Sequence, residues 1–432
     1  MIKLTPEEEQ TLSGRYGILR QKALENIVSY AEVLGARELC KVTKATVFCG
    51  RHEYLDACGK DDFDEVFSRA QLGSDETVKF DSLYPSCHVQ SCVGPCEDKK
   101  NREFRQSDAL FTVNRHYLDR AKEAGVTIVG TCSPYLNGWI PIPGEHFVTT
   151  ESGMTILGNS LWGACCNSDG IEAAFWSAIC GRTPLWGKHT REGRRGNVRV
   201  RVDASPKSPV DWDIMGKTIG DRLPVNAVPV ITVDFSQVSF NNLRQFVTAI
   251  AVSSNCEMCH IPGVTYDARS EAEAFAGKIP SYSIDISVDD MNRTYEKICT
   301  PKSGKVGLVS LGCPHYDIYQ IKKAVDYLKG RKVAPGVNFQ IWTTYPIKAV
   351  AEANGYLDAI REAGGDIYTG TCPTTIGRVF LEQFEGLVFD SVKQSGSVRS
   401  SVSAPNYIGD MERCLDAAVS GVWKEDYRWK MS

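Results

Sequence analysis

Three stretches of this chain follow one formula, and they constrain its fold more than any other feature. Val126 to Gly130 leads into Thr-Cys132-Ser-Pro, Val306 to Gly312 into Cys313-Pro-His, and Asp366 to Gly370 into Thr-Cys372-Pro. In each, a short run rich in apolar residues ends in glycine with a cysteine and a proline close behind, the pattern of a buried strand handing over to a turn. Cysteines just beyond the carboxyl ends of strands in an open α/β sheet point into the crevice where such sheets bind ligands. Three of them from distant parts of the chain suggest one shared site. Three thiolates with no fourth partner in sequence suit an iron–sulfur cluster, [4Fe-4S] or a related form, with one iron left open. A mononuclear zinc site and, for any single residue, an ordinary buried cysteine are the alternatives.

At 432 residues the chain exceeds one simple core, and two or three α/β domains are expected. The divisions fall at about 1–204, 205–300 and 301–432. A net charge of −4 offers no electrostatic reason to expect nucleic acid or an acidic membrane as a partner. No apolar run is long enough to span a bilayer, and the first residues carry no basic and apolar signal regions, so a cytoplasmic location is expected. In a reducing compartment sixteen scattered cysteines argue for thiols and metal chemistry rather than a disulfide scaffold.

Along the chain, Thr5-Pro-Glu-Glu8 is a capping box that starts a helix running toward Ala31, interrupted at Ser13 to Gly17. A strand from Lys44, an acidic helix from Asp61 to Gln71 and a strand from Val78 to Leu83 follow. Cys87, His88, Cys92 and Cys96 crowd one short segment, which reads either as a metal site of its own or as a loop lending one residue to the main site. The Gly, Asn and Ser density from Gly158 to Gly170 suggests loops lining a site rather than a packed element. In the basic stretch after it, Arg199 and Arg201 read as the solvated face of a strand, while Arg182, Lys188 and Arg191 are freer to meet an anion. Ser205 to Trp212 looks like a linker. Cys256-Glu-Met-Cys259-His260 matches the c-type haem signature, which is set aside because that attachment takes place outside the cytoplasm. The last third reads as consecutive βαβ units: strand Val306 to Leu311, helix Ile318 to Lys329, strand Phe339 to Thr343, helix Ile347 to Ala363, and strand Asp366 to Tyr368. That sheet by itself brings Cys313 and Cys372 together.

An ordered series of motifs resembles the aconitase X family, in its large-subunit part, over nearly the whole chain. The motifs are Leu4-Thr-Pro-Glu, Cys132-Ser-Pro-Tyr135, Gly144-Glu-His146, Glu151-Ser152, Asn159-Ser160-Leu-Trp-Gly163, Gly181-Arg-Thr-Pro184, His260-Ile-Pro-Gly263-Val-Thr265, Gly312-Cys-Pro-His315 and Ser391-Val-Lys393. The resemblance implies an aconitase-like arrangement of parallel and mixed sheets with the site in a cleft between domains. It also implies an iron–sulfur cluster on Cys132, Cys313 and Cys372, and a dehydration reaction. Ser160 and Lys393 are then the candidate catalytic residues, with Glu151, Ser152, Asn159, Asn167, His260 and Ser391 as substrate contacts. Family members also carry a small swivelling domain, fused or separate, which nothing in this chain supplies, so a small partner subunit is expected. Known substrate classes are cis-3-hydroxy-L-proline and 5-phosphomevalonate. Where the family usually reads Gly-Ala-Arg-Thr-Asn-Arg-Glu-Gly, this chain has Gly163-Ala-Cys165-Cys166-Asn-Ser168-Asp-Gly170 and loses both arginines. Arginine is the planar fork for carboxylate or phosphate. Its loss ranks a hydroxyproline-like acid above the phosphorylated substrate, makes Cys165 and Cys166 candidates for extra iron ligands, and leaves a non-catalytic iron–sulfur protein as the rival reading.

Overall fold

The computed structural model describes residues 2–50, 62–94, 99–234, 238–300, 302 and 304–424. Three parallel sheets carry the chain. In the first, Lys44–Val47 lies between His88–Ser91 and Phe147–Val148. Its core gathers Leu24, Ile27, Phe67, Phe80 and Phe175 from the surrounding helices and loops. The capping box forms as read, and the glycine-rich break separates helix Pro6–Leu12 from helix Ile18–Leu34. Arg182 is not free for an anion: it is buried between Glu8 at 2.7 Å and Glu7 at 2.8 Å, fastening the N-terminal helix to strand Arg182–Pro184. A guanidinium so enclosed needs carboxylate partners, and the acidic first turn of that helix supplies them.

Val78 to Leu83 is not a strand. The Val78 amide bonds the Ser68 hydroxyl at 2.7 Å and the Phe80 amide the Asp64 carboxylate at 3.0 Å, so side chains rather than a neighbouring strand satisfy this backbone. Val126 to Gly130 is likewise extended but bridged to the sheet only at Thr127. The Cys87–Cys92 segment is largely strand, with Cys87 packed into the core and Cys92 at the strand's end; Cys96 lies outside the described residues.

The middle sheet places Val198–Asp203 between Pro229–Thr232 and Tyr282–Ser287. Arg199 is not simply solvated: its Nε meets Glu271 at 2.5 Å. The expected linker is instead the start of helix Pro209–Gly220, because Ser208-Pro-Val-Asp211 forms a capping box with proline at the first helical position. Helix Ser152–Ser160, almost wholly buried, takes the first three residues of the expected loops, and 161–169 remain loop. Its small residues are there for close packing: a Cβ at Gly153 would stand 3.1 Å from Thr248 Oγ1, and one at Gly158 would overlap the Phe147 ring.

The C-terminal sheet is five-stranded and parallel, in the order Gly365–Tyr368, Asn338–Trp342, Leu308–Leu311, Leu387–Phe389, Asn406–Ile408. The βαβ reading holds, with helix Ile347 to Ala363 divided at Asn354-Gly355 into Tyr345–Ala353 and Tyr356–Ala363. Among the described residues no helix is long and apolar enough to cross a membrane.

Candidate active site

Cys313 follows the central strand of the five-stranded sheet and Cys372 its edge strand, so parallel register delivers both to the same end. Cys132 arrives from the first sheet, and close backbone contact brings it in. Gly130 has φ +57°, and a Cβ there would stand 2.5 Å from Gly370 Cα, while the Gly94 amide donates to the Gly370 carbonyl at 2.7 Å. The loop of Cys132 is tied to that of Cys313 through Thr131 Oγ1 and His315 Nδ1, 2.9 Å apart. Gly130→Ala is therefore expected to wedge the two cysteine loops apart. Overpacking against backbone costs about 1–3 kcal/mol, which should appear as a lower unfolding midpoint and less bound iron; a variant unchanged in both would show that this contact does not hold the site.

Cys132 and Cys313 line one cavity with Tyr135, Glu151, Arg244, Thr248 and Lys393. Burial, then the Glu151 carboxylate, push the Cys132 thiol up to about 11, with Lys393 opposing and Cys372 adding to the rise. Burial also raises Cys313, again against Lys393, with Cys132 and Cys372 in electrostatic reach. Lys393 answers to the same groups. Burial alone would lower its pKa, but Glu151, with its oxygen 3.6 Å from Nζ, and the three cysteines raise it, so the side chain is a firm cation. Ser391 caps the helix that starts here and hydrogen-bonds toward Cys313. The Cys92 thiol donates to the other Glu151 oxygen.

The chain matches the family models described as aconitase X first domain over residues 1–192, second domain over 196–296 and third domain over 306–420. The chain belongs to the aconitase X family. Among the family's curated members, the phosphomevalonate dehydratase large subunit of Methanocaldococcus jannaschii is 27% identical over 428 residues, covering 95% of this chain and 99% of that protein. The cis-3-hydroxy-L-proline dehydratase of Pseudomonas aeruginosa is 25% identical over 429 residues, covering 97% of this chain and 70% of that one. The crystal structure of holo-form aconitase X from Thermococcus kodakaraensis superposes with a TM-score of 0.82 at 24% identity, covering 96% of this chain and all of that one. The aconitase-type α/β fold is thereby established, and the curated relatives are dehydratases, which places the chain in a hydro-lyase family.

The other sequence-derived candidates of this aconitase X chain are placed elsewhere in the hydrogen-bond network. Asn159 spends both ends of its amide on protein, giving Nδ2 to the carbonyls of Cys166 at 2.7 Å and Glu257 at 2.8 Å, and accepting from the Cys166 amide at 2.9 Å. The Ser160 hydroxyl accepts from the Cys259 amide at 2.9 Å. Asn167 joins Trp186 O at 3.1 Å and the Lys188 amide at 2.7 Å. His260 Nε2 lies 2.7 Å from Arg194 O, and burial lowers its pKa. Cys165 lies 3.6 Å from Arg194 Nη1, and Cys166 donates to Asn167 O at 3.0 Å. Ser152 opens the helix after Glu151.

Sequence reasoning missed Arg244. It sits on helix Phe240–Ser253, whose Arg244, Val247 and Thr248 share the face turned to the cavity. Its guanidinium is 2% exposed, and its bonds go to neutral oxygens: His315 O at 2.9 Å, Tyr135 Oη at 3.4 Å and Gln320 Oε1. The available signal was a lone arginine in an otherwise polar–apolar helical pattern, which is too common to single out.

Proposed function

We propose that this chain is the cluster-bearing large subunit of a hydro-lyase that dehydrates a small hydroxylated carboxylic or imino acid, resembling cis-3-hydroxy-L-proline. The observation carrying this reading is the convergence of two free thiols, one firm ammonium and one buried guanidinium on a single cavity, with the Cys372 thiol in electrostatic reach of the other two. Cys132, Cys313 and Cys372 fit an iron–sulfur cluster as a donor set: soft thiols from three separate loops, none in a disulfide, with a cation beside them to offset thiolate charge. A cluster held there would supply a Lewis-acidic iron for the hydroxyl that leaves.

The chain's own residues do the rest. Arg244 offers its fork to the substrate carboxylate. Lys393 holds a proton at Nζ within the cavity and can hydrogen-bond the departing oxygen. Glu151 keeps Lys393 in place and is itself engaged by Cys92, so the base that takes the carbon-bound proton is assigned to the small subunit. Closing of that subunit over the cavity would exclude water. Asn159, Ser160, Asn167 and His260 then act by bracing the segment from Gly158 to Gly170 and its neighbours, through Trp186, Lys188, Arg194, Glu257 and Cys259.

Charge decides the ranking of substrates. Lys393 is already paired with Glu151, which leaves Arg244 as the cavity's unpaired cation among the described residues, enough for one carboxylate. A second reading, 5-phosphomevalonate, is favoured by length, since the chain covers 99% of a phosphomevalonate dehydratase large subunit. Turnover of both compounds by the anaerobically reconstituted two-subunit complex separates them. We expect activity on the hydroxyproline-like acid, at least tenfold above the phosphorylated one in kcat/KM. Activity on the phosphorylated compound alone would reverse the ranking, and full turnover by the single chain would remove the partner from the proposal.

A further inference from the structure

Away from the three cysteines, a second group of metal-type ligands stands at the edge of the first sheet. Cys40, His146 and His189 place their ligand atoms all within 4.8 Å of one another. They come from strand Leu39–Lys41, from the residue before strand Phe147–Val148, and from the turn Gly187–His189. The two imidazoles meet head to head, Nδ1 to Nδ1, at 2.9 Å. One neutral ring must then carry its proton on Nδ1 and the other on Nε2. Nothing else among the described residues selects between these arrangements for His189, because its Nε2 is buried with no partner there, and the residue is only 5% exposed. With that shared proton removed, two Nδ1 atoms this close, grouped with a thiol, would offer two lone pairs to one cation.

We propose that Cys40, His146 and His189 bind a zinc ion distinct from the cluster, with Cys165 as the fourth ligand. Tetrahedral bonds of about 2.0–2.1 Å to nitrogen and about 2.3 Å to sulfur set ligand atoms roughly 3.3–3.8 Å apart, so the three groups need shifts of only tenths of an ångström to about one. Cys165 lies outside that 4.8 Å group, and its backbone brings it alongside. It forms a parallel bridge with His146, its amide bonding Glu145 O at 2.8 Å and its carbonyl accepting from Phe147 at 3.0 Å, which sets the two side chains next to each other on one face. The Cys40 and Cys165 sulfurs also feel one another electrostatically. In place of a metal Cys165 rests 3.6 Å from Arg194 Nη1, and that guanidinium is neutralised by Asp267 at 2.7 Å, so its charge does not bar a cation. Cys2His2 is a closed donor set that leaves zinc no open position, which makes this a structural site. It would pin four chain segments together at the margin of the loops braced by Asn167. On binding, two thiols release their protons and the ion takes two thiolate sulfurs and two imidazole nitrogens, without any redox step.

The test is elemental analysis of the full chain purified anaerobically, with zinc and iron counted separately. We expect about one zinc per chain beside the cluster iron. Cys40→Ser and Cys165→Ser should each lower zinc at least tenfold while iron and sulfide stay, and Cys132→Ser should do the reverse. Zinc-edge absorption of the wild-type protein, which needs no variant to fold, should fit two sulfurs and two nitrogens. Zinc below about a tenth per chain, zinc retained in full by Cys40→Ser, or an edge spectrum without sulfur would each overturn the proposal. An edge fit with one sulfur in place of two would remove Cys165 from it.

Discussion

Serine in place of Cys132, Cys313 or Cys372, one at a time, is expected to abolish cluster binding and to lower dehydratase turnover by at least about a thousandfold. The ligand form of cysteine is the thiolate, and a serine hydroxyl buried in the same place neither ionises nor offers a soft donor. Burial and Glu151 already push the Cys132 thiol up to about 11, against the opposing charge of Lys393. Only a strongly bound metal overcomes that cost. A Lewis acid contributes several kcal/mol to a reaction with a poor leaving group, and about 1.4 kcal/mol is a factor of ten, so its loss amounts to roughly three orders of magnitude or more. Iron and sulfide per chain, visible absorption and electron paramagnetic resonance of anaerobic protein provide the readout. Cys299→Ser is the control, since that buried cysteine packs near Tyr295 and Ile408, away from the cavity. Full iron content and turnover in any of the three variants would remove that residue from the ligand set.

Arg244→Met should be the next most damaging change, lowering kcat/KM by about a hundredfold or more with iron content retained. Each charge-assisted bond is worth about 1.5–3 kcal/mol, and a carboxylate held by two of them loses both. Methionine approximates the aliphatic stem, so the side-chain packing that a truncation to alanine would empty is largely kept. Part of the loss has another origin, because His315 O and Gln320 Oε1 lose their donor. Arg244→Lys separates the two effects: a retained point charge without the fork should recover part of KM but little of the orientation that kcat needs. Wild-type kinetics in Arg244→Met with both subunits present would show that the substrate anion binds elsewhere.

The C-terminal sheet was the most legible part of the chain. Alternation of apolar strand runs with amphipathic helices is a local signal, and parallel register then follows from right-handed crossovers without further information. Helix starts with capping boxes were also readable at Thr5-Pro-Glu-Glu8, whereas the same signal at Ser208-Pro-Val-Asp211 was obscured by the prolines and aspartates around it. The segment from Gly158 to Gly170 read correctly as loop over 161–169 but not over its first three residues, because glycine and asparagine weaken a helix by propensity alone. In the folded protein Gly153 and Gly158 permit a backbone approach to Thr248 and Phe147 that larger residues would block, and packing overrides propensity.

By itself, then, the sequence determined the strand–turn settings of Cys313 and Cys372, the family, and the parallel character of the last sheet, because each rests on order and spacing along the chain. The resemblance pointed to Glu151 and Lys393 as well, but only the tertiary structure decided that they share one cavity with Cys132, Cys313 and the unforeseen Arg244. Glu151, Arg244 and Lys393 come from three unrelated helix beginnings and faces, and no periodicity links them. Tertiary structure also turned Arg182 inward to Glu7 and Glu8, made Asn159 and Ser160 braces for neighbouring backbone, and joined Cys40 to His146 and His189. The physical reason is the same in every case. A polar side chain is committed by the burial and the partners it meets after folding, and those are set by contacts between residues far apart in sequence, which leave no periodic trace in the chain.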